Sequence, residues 1–301
     1  MLSLPSADQG LLYQYQGSWI PPFFIQGVIS CQNYFHAHDT DILLVTSPKV
    51  GTTWLKAILF SLLNRGRYPN AQQHPLLTNS PHELVPFLEM QLYNKKQVPD
   101  LTPFTSPRLF SSHLMFSLLP ISVKDSKCKI VYLCRNPKDT FVSIWHFRNK
   151  IRANLGKDAS TIEQDFDNFS KGISSFGSYW DHVVSYWKES LENPEKIFFL
   201  KYEEMKEQPT IFLKRLAEFL ECPFSPEEEV KGAINDISRL CSFENLSNLD
   251  VNKSGKVMMA DKSTYFRLGK VGDWMNYLTV EMSETLDRIT KEKFHSIGLT
   301  I

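Results

Sequence analysis

The sequence predicts an α/β fold: a single domain, residues 1–301, with a central, mostly parallel sheet flanked by helices and a P-loop-like turn after its first strand. Three segments with one shared order lead to it. In each, an apolar run is followed by a short polar turn and then an amphipathic stretch: DILLV at 41–45 before TSPKVG, KIVYLC at 129–134 before RNPKD, and KIFFL at 196–200 before KYEEMKEQ. Continuous apolar runs that feed helices are the mark of parallel strands covered on both faces. A shorter strand is expected at 108–113, and further helices at 178–191, 226–238 and 280–294, where apolar residues recur every three to four positions. Ser80 followed by Glu83 reads as a capping box. The stretches around 64–105 and 240–270 lack that periodicity, and irregular segments of such length are uncommon unless they cover a site.

Lys+Arg and Asp+Glu number 33 each, so the formal charge is zero, and 42% of the residues are hydrophobic. Such a chain can bury a large core, unlike the highly charged, weakly hydrophobic composition of disordered segments. Neutrality also argues against nucleic acid as a partner, because that binding leans on a basic field. Any anion held here must meet locally placed cations. The cysteines Cys31, Cys128, Cys134, Cys222 and Cys241 form no C-x-x-C pair and read as reduced, mostly buried thiols of an intracellular protein. The opening ten residues have no basic n-region, and no run approaches the ~18 apolar residues of a membrane span. No signal peptide and no membrane partner are expected, and the cytoplasm is the default location.

The turn after the first strand, Thr46 to Trp54, carries Lys49, Gly51 and a helix start near Thr52. A helix N-terminus has unpaired N–H groups and a positive dipole end, which suits an anion. It is also an ordinary strand-to-helix turn that Thr52 could cap. Lys49 favours the first reading, since a cation there is unfavourable unless an anion neutralises it. Neither G-x-x-x-x-G-K-S/T nor G-x-G-x-x-G fits this turn. The run Pro48-Lys49-Val50-Gly51-Thr52-Thr53-Trp54 resembles instead the P-K-x-G-T-T-W loop of the cytosolic sulfotransferases, which hold the 5′-phosphosulfate of 3′-phosphoadenosine 5′-phosphosulfate (PAPS).

Further segments follow that family's order over nearly the whole chain. Ser112-His113-Leu114 with Leu118-Leu119-Pro120 is similar to its catalytic-histidine segment, and Arg135 with Ser143 to its 3′-phosphate element. Tyr202 resembles the tyrosine beside the adenine, Phe243 the opposite wall, and Arg267-Leu268-Gly269 through Trp274 the second phosphate clamp. The resemblance implies a metal-free transfer of a sulfuryl group from PAPS, as co-substrate, to a hydroxyl on a small molecule. His113 would be the general base and Lys49 would stabilise the leaving group. Lys49, Val50, Gly51, Thr52 and Thr53 would hold the 5′ end, Trp54 would stack on the adenine, and Arg135, Ser143, Arg267, Leu268 and Gly269 would hold the 3′-phosphate.

Taken alone, each residue has a plainer reading. Arg135 could serve a structural ion pair, Trp54 the core, and His113 a satisfied buried position. As site residues, an arginine fork and a hydroxyl suit a phosphate monoester, Trp54 could stack on a base, and active groups gather beyond strand carboxyl ends. His36 and His38 lack the further ligands a zinc site needs.

Several departures from the family pattern bear on function. Val50 replaces a common serine or threonine and Leu268 a lysine, which predicts weaker donor binding. Ser111 stands where many animal members have lysine; with Tyr15 to Trp19 and Phe243 to Leu246 it points to a plant-like branch. Of the dimer motif, Thr279, Val280 and Glu284 remain while Met275 replaces its lysine, which argues against a firm homodimer.

Two competing readings are an atypical P-loop small-molecule kinase and a catalytically weakened nucleotide-binding paralogue. The kinase needs a magnesium-binding carboxylate after a strand, whereas Asp39 and Asp41 precede theirs. Retention of Lys49 and His113 opposes the second. For the acceptor, Phe23, Phe24, Met90, Tyr93, Phe104, Met115, Phe116 and Tyr265 could line an apolar pocket suited to flavonols, steroids or hormone-like alcohols.

Overall fold

The computed structural model describes residues 4–8, 11–258 and 260–301; the start of the stretch read as lacking a signal peptide lies outside them. At its centre are four parallel strands, β1 Ile42–Thr46, β2 Leu109–Ser112, β3 Lys129–Cys134 and β4 Ile197–Lys201, in the order β2-β1-β3-β4. Every residue of β1 is buried, as are all but the first of β3. Burial on both faces is why these strands read as unbroken apolar runs.

The register decides where the site lies. Val45 pairs with Ser112, Thr46 with Leu133 and Cys134 with Lys201, so the strands finish together. Ser47, His113, Arg135 and Tyr202 therefore emerge on one rim. From β1 the chain crosses to β2 on one side and then returns past β1 to β3 on the other, so the switch point where open α/β sheets bind ligands lies between the ends of β1 and β3.

The helices that frame this rim are α1 Pro22–Tyr34, α2 Thr52–Leu63, α3 Pro137–Asn154, α4 Tyr179–Glu192 and α5 Pro209–Phe219, with α6 Pro226–Val230, α7 Ala233–Leu240, α8 Phe243–Asn248 and α9 Val280–Phe294 beyond them. The caps are local. Asn136 Oδ1 accepts from Lys138 N at 2.9 Å with Pro137 at the first helical position, and Thr279 Oγ1 accepts from Met282 N at 3.2 Å. The single helix expected at 226–238 is two, because Gly232 takes φ +79° between α6 and α7. Ser80 and Glu83 open a short helix, Pro81–Leu84, where Ser80 N donates to Glu83 Oε2 at 2.7 Å. Both irregular stretches run to the rim: His82 and Met90 from the first, Phe243 and Tyr265 from the second, line one cavity with the turn after β1.

Candidate active site

That cavity measures about 470 Å³ and takes in Lys49, Gly51, Thr52, Thr53, Trp54, His113, Arg135, Ser143, Tyr202, Phe243, Arg267, Leu268 and Gly269. Of the residues that the sequence assigns to catalysis and to the nucleotide, all but Val50 reach it. The Val50 side chain is fully buried in the core, so it presents no group to a ligand.

Gly51, not Thr52, is the N-cap of α2, with φ +117°. A side chain there would meet the Tyr202 ring at 2.8 Å, so both conformation and space require glycine. Lys49 takes φ +70° and places Nζ 4.1 Å above the Phe147 ring. Burial, then Arg267, Lys150 and Arg135, lower its pKa from 10.5 to about 7. A cation so held gains from an incoming anion. The threonine hydroxyls already have partners inside the protein: Thr52 meets Thr46 Oγ1 at 2.8 Å and Thr53 meets His82 Nε2 at 2.9 Å.

His113 is held on every side. Its Nδ1 lies 2.7 Å from the Thr46 carbonyl, which can only accept, so Nδ1 carries the proton and Nε2 has the lone pair. Its backbone N–H donates to Glu89 Oε1 at 2.8 Å, and its carbonyl accepts from His182 Nε2 at 3.1 Å. His182 in turn accepts at Nδ1 from the Tyr132 hydroxyl, 2.9 Å away. Burial pushes the His113 pKa down to about 3, with the Lys56, His182 and Lys49 charges adding to it, and pushes Glu89 up to about 7. Glu89 had no sequence signal beyond its place in the PFLE run of the first irregular stretch; fully buried in a π-helical turn, Leu88–Leu92, it reaches the histidine from beyond the sheet edge.

Across the rim, Arg135 donates to the Lys270 carbonyl at 2.6 Å, pairs with Asp139 at 3.4 Å and lies 4.5 Å over the Tyr202 ring. Its Nε is buried without a partner among the described residues. Such an orphan donor is costly unless a ligand completes it. Asp139, fully buried, accepts from Gly272 N at 2.8 Å and Trp274 N at 3.0 Å, tying the 267–274 loop to the first turn of α3. Arg267 is held by Asp273 at 2.5 Å. Gly269, at φ +65°, lies so close to Phe243 that a side chain would meet the ring at 2.6 Å.

The acceptor side differs from the sequence expectation. Phe23, Phe24, Met90 and Tyr265 line the cavity, whereas Tyr93, Phe104, Met115 and Phe116 do not. Tyr93 packs on Phe35, Phe104 on Phe110, Phe116 on Tyr186, and Met115 against Gly177. Aromatics fill core and pocket alike, and only packing separates the two. The cavity gains instead Ile144, Phe147 and Ile151 of α3. Phe147 and Ile151 stand four and eight residues after Ser143, so helical spacing from that serine was the signal that could have found them. His36 and His38 are exposed. Asp41 is engaged by Arg108 at 2.5 Å, at the strand end opposite the cavity, so it is not the carboxylate a kinase requires.

A family model described as the sulfotransferase domain matches residues 39–298. Cytosolic sulfotransferase 11 of Arabidopsis thaliana is 47% identical over 302 residues, which is 99% of this chain and 86% of that one. The chain belongs to the plant cytosolic sulfotransferase family. Its fold agrees with a crystal structure of an Arabidopsis thaliana protein assigned as a steroid sulphotransferase, at TM-score 0.79 and 42% identity over 99% of this chain and 93% of that one. The mouse sulfotransferase SULT7A1, complexed with PAP, superposes at TM-score 0.73 with 30% identity over 96% of each chain. This sulfotransferase is a PAPS-dependent enzyme, and among its described residues no helix is long and apolar enough to cross a membrane.

Proposed function

We propose that this cytosolic enzyme moves the sulfuryl group of PAPS to the hydroxyl of an apolar, aromatic or polycyclic small molecule, with His113 as general base and Lys49 at the leaving group. The observation that carries the reading is the tie between His113 Nδ1 and the Thr46 carbonyl, because it leaves Nε2 unprotonated in the same cavity as Lys49. The acceptor oxygen attacks sulfur while its proton passes to Nε2. The bond between sulfur and the bridging oxygen breaks, and Lys49 stabilises the charge that gathers on the 5′-phosphate of departing PAP. In such transfers positioning and charge stabilisation supply most of the rate. The orphan Nε of Arg135 supports a 3′-phosphate beside it, joined by Ser143 and Arg267. Trp54, Tyr202 and Phe243 offer the aromatic surfaces an adenine needs. No protein carboxylate in this scheme asks for a metal.

Phe23, Phe24, Phe87, Met90, Phe147 and Tyr265 give the acceptor end its apolar walls. A screen of labelled PAPS against phenols, flavonols, steroids, hydroxy fatty-acid derivatives and oximes is expected to show transfer to aromatic or polycyclic alcohols. Product nucleotide binding without transfer to any hydroxyl would overturn the reading in favour of a catalytically weakened paralogue. Met275, which stands where the dimer motif has a charge, is 67% exposed, and the retained Val280 is 72% exposed. Without that charge a very small interface is expected to fail, and light scattering after size exclusion should return the monomer mass at micromolar concentration.

A further inference from the structure

Behind the turn after β1 lies a line of side chains that the transfer described above does not use. Lys56, on α2 and completely buried, donates from Nζ to the Val85 carbonyl at 2.7 Å, stands 3.2 Å from His82 Nδ1 and lies 3.4 Å over the Phe87 ring. His82, 3% exposed, meets the Thr53 hydroxyl through Nε2 at 2.9 Å. Thr53 lines the cavity, and its hydroxyl has no other partner among the described residues.

The chemistry of these groups gives the line a direction. A carbonyl oxygen and a ring face can only accept, and a ring face at this distance attracts a cation. Burial lowers the Lys56 pKa well below its ordinary value, and the Glu89 charge opposes that shift. The Val85 carbonyl and the Phe87 ring face beside Nζ favour the ammonium. Its three N–H groups serve three neighbours, so the third falls to His82 Nδ1 as acceptor. Burial, then the Lys56 and Lys49 charges, hold the His82 pKa well below its ordinary value, so the ring is neutral. A neutral imidazole that accepts at Nδ1 carries its proton on Nε2 and donates it to Thr53 Oγ1. The Thr53 hydroxyl hydrogen is then left for the cavity.

We infer that Lys56 and His82 are positioning residues, which run a one-way hydrogen-bond chain to Thr53 and so present its hydroxyl proton to the phosphosulfate oxygens during transfer. The inference rests on reading the 46–54 turn as the phosphosulfate site. A donor aimed before the substrate arrives needs no reorganisation as charge develops. In its ammonium form Lys56 thus acts on the ligand through two other residues, without touching it.

The ring state is read directly in the wild-type protein by nitrogen-15 NMR of His82, where the Nε2–H tautomer is expected; an Nδ1–H tautomer overturns the chain whatever the variants do. In kinetics with labelled PAPS, Thr53→Val and His82→Phe are each expected to lower turnover about 10–100-fold, short of the 10²–10³ of a full oxyanion donor, with little change in PAP affinity. The double variant should be no slower than Thr53→Val alone. Thr53→Ser, which keeps the hydroxyl, and His82→Gln, whose amide can donate from the ring Nε2 position, should recover most of the rate. Losses that multiply, or His82→Gln no faster than His82→Phe, overturn the chain while leaving the phosphosulfate site standing. Wild-type turnover and PAP binding in Thr53→Val would overturn both.

Discussion

His113→Ala is expected to lower turnover by about 10²–10⁴-fold, the range a positioned general base supplies. The surroundings of the ring are the reason. With Nδ1 committed to Thr46, Glu89 holding the backbone N–H and His182 the carbonyl, Nε2 is fixed toward the cavity before any substrate binds. The same enclosure lowers its pKa to about 3, so the base is unprotonated at every working pH. The profile of kcat/KM for PAPS should therefore show no acid limb near 6.5 from this residue. Steady-state turnover with labelled PAPS, beside PAP affinity by calorimetry, checks both points: the first should collapse and the second stay within about threefold, since the ring is not among the anion contacts. Near wild-type turnover would remove His113 from the chemistry.

Lys49→Ala should cost roughly 10²–10³-fold in turnover, with a smaller loss of PAP affinity, because its charge is needed most as the bridging oxygen departs. Its titration adds a second readout. In the ligand-free enzyme Lys49 is protonated below about pH 7 and neutral above it. A bound polyanion favours the charged form and raises that pKa, so binding above pH 7 must take up a proton. The Lys49 contribution to PAP affinity is then constant below pH 7, and affinity weakens by up to about tenfold per pH unit above it, until the pKa of the bound lysine is reached. Calorimetry in buffers of different ionisation enthalpy should find that uptake at pH 8. Lys49→Arg, whose guanidinium stays charged, should flatten the profile. A wild-type profile with no dependence across pH 7 would show that Lys49 does not face the anion.

Much of the site was legible in the chain because its residues come in contiguous runs at strand ends. Pro48 to Trp54, Ser112 with His113, Arg135 with Ser143, and Arg267 to Gly269 all follow or face a strand, and the parallel register brings them to one rim. Other parts depend on residues far apart. Val50 belongs to a motif by position, yet its side chain turns into the core. Tyr93, Phe104, Met115 and Phe116 are as aromatic or apolar as Phe23 and Tyr265, and packing against neighbours distant in the chain is what removes them from the cavity.

By itself the sequence determined the strand-turn-helix units, the family, a turn suited to an anion and the zero net charge that leaves any anion to a few placed cations. Local chemistry suffices there, because a strand end, a helix start and a lysine between them already make an anion site. Only the tertiary structure decided which groups complete it. Glu89 and His182 reach the backbone of His113 from opposite sides, Asp139 ties down the loop bearing Arg267, and Lys56 reaches Thr53 through His82. These contacts join residues tens of positions or more apart, where no spacing rule applies. Their partners are chosen by burial, which leaves each polar atom only the neighbours that packing supplies.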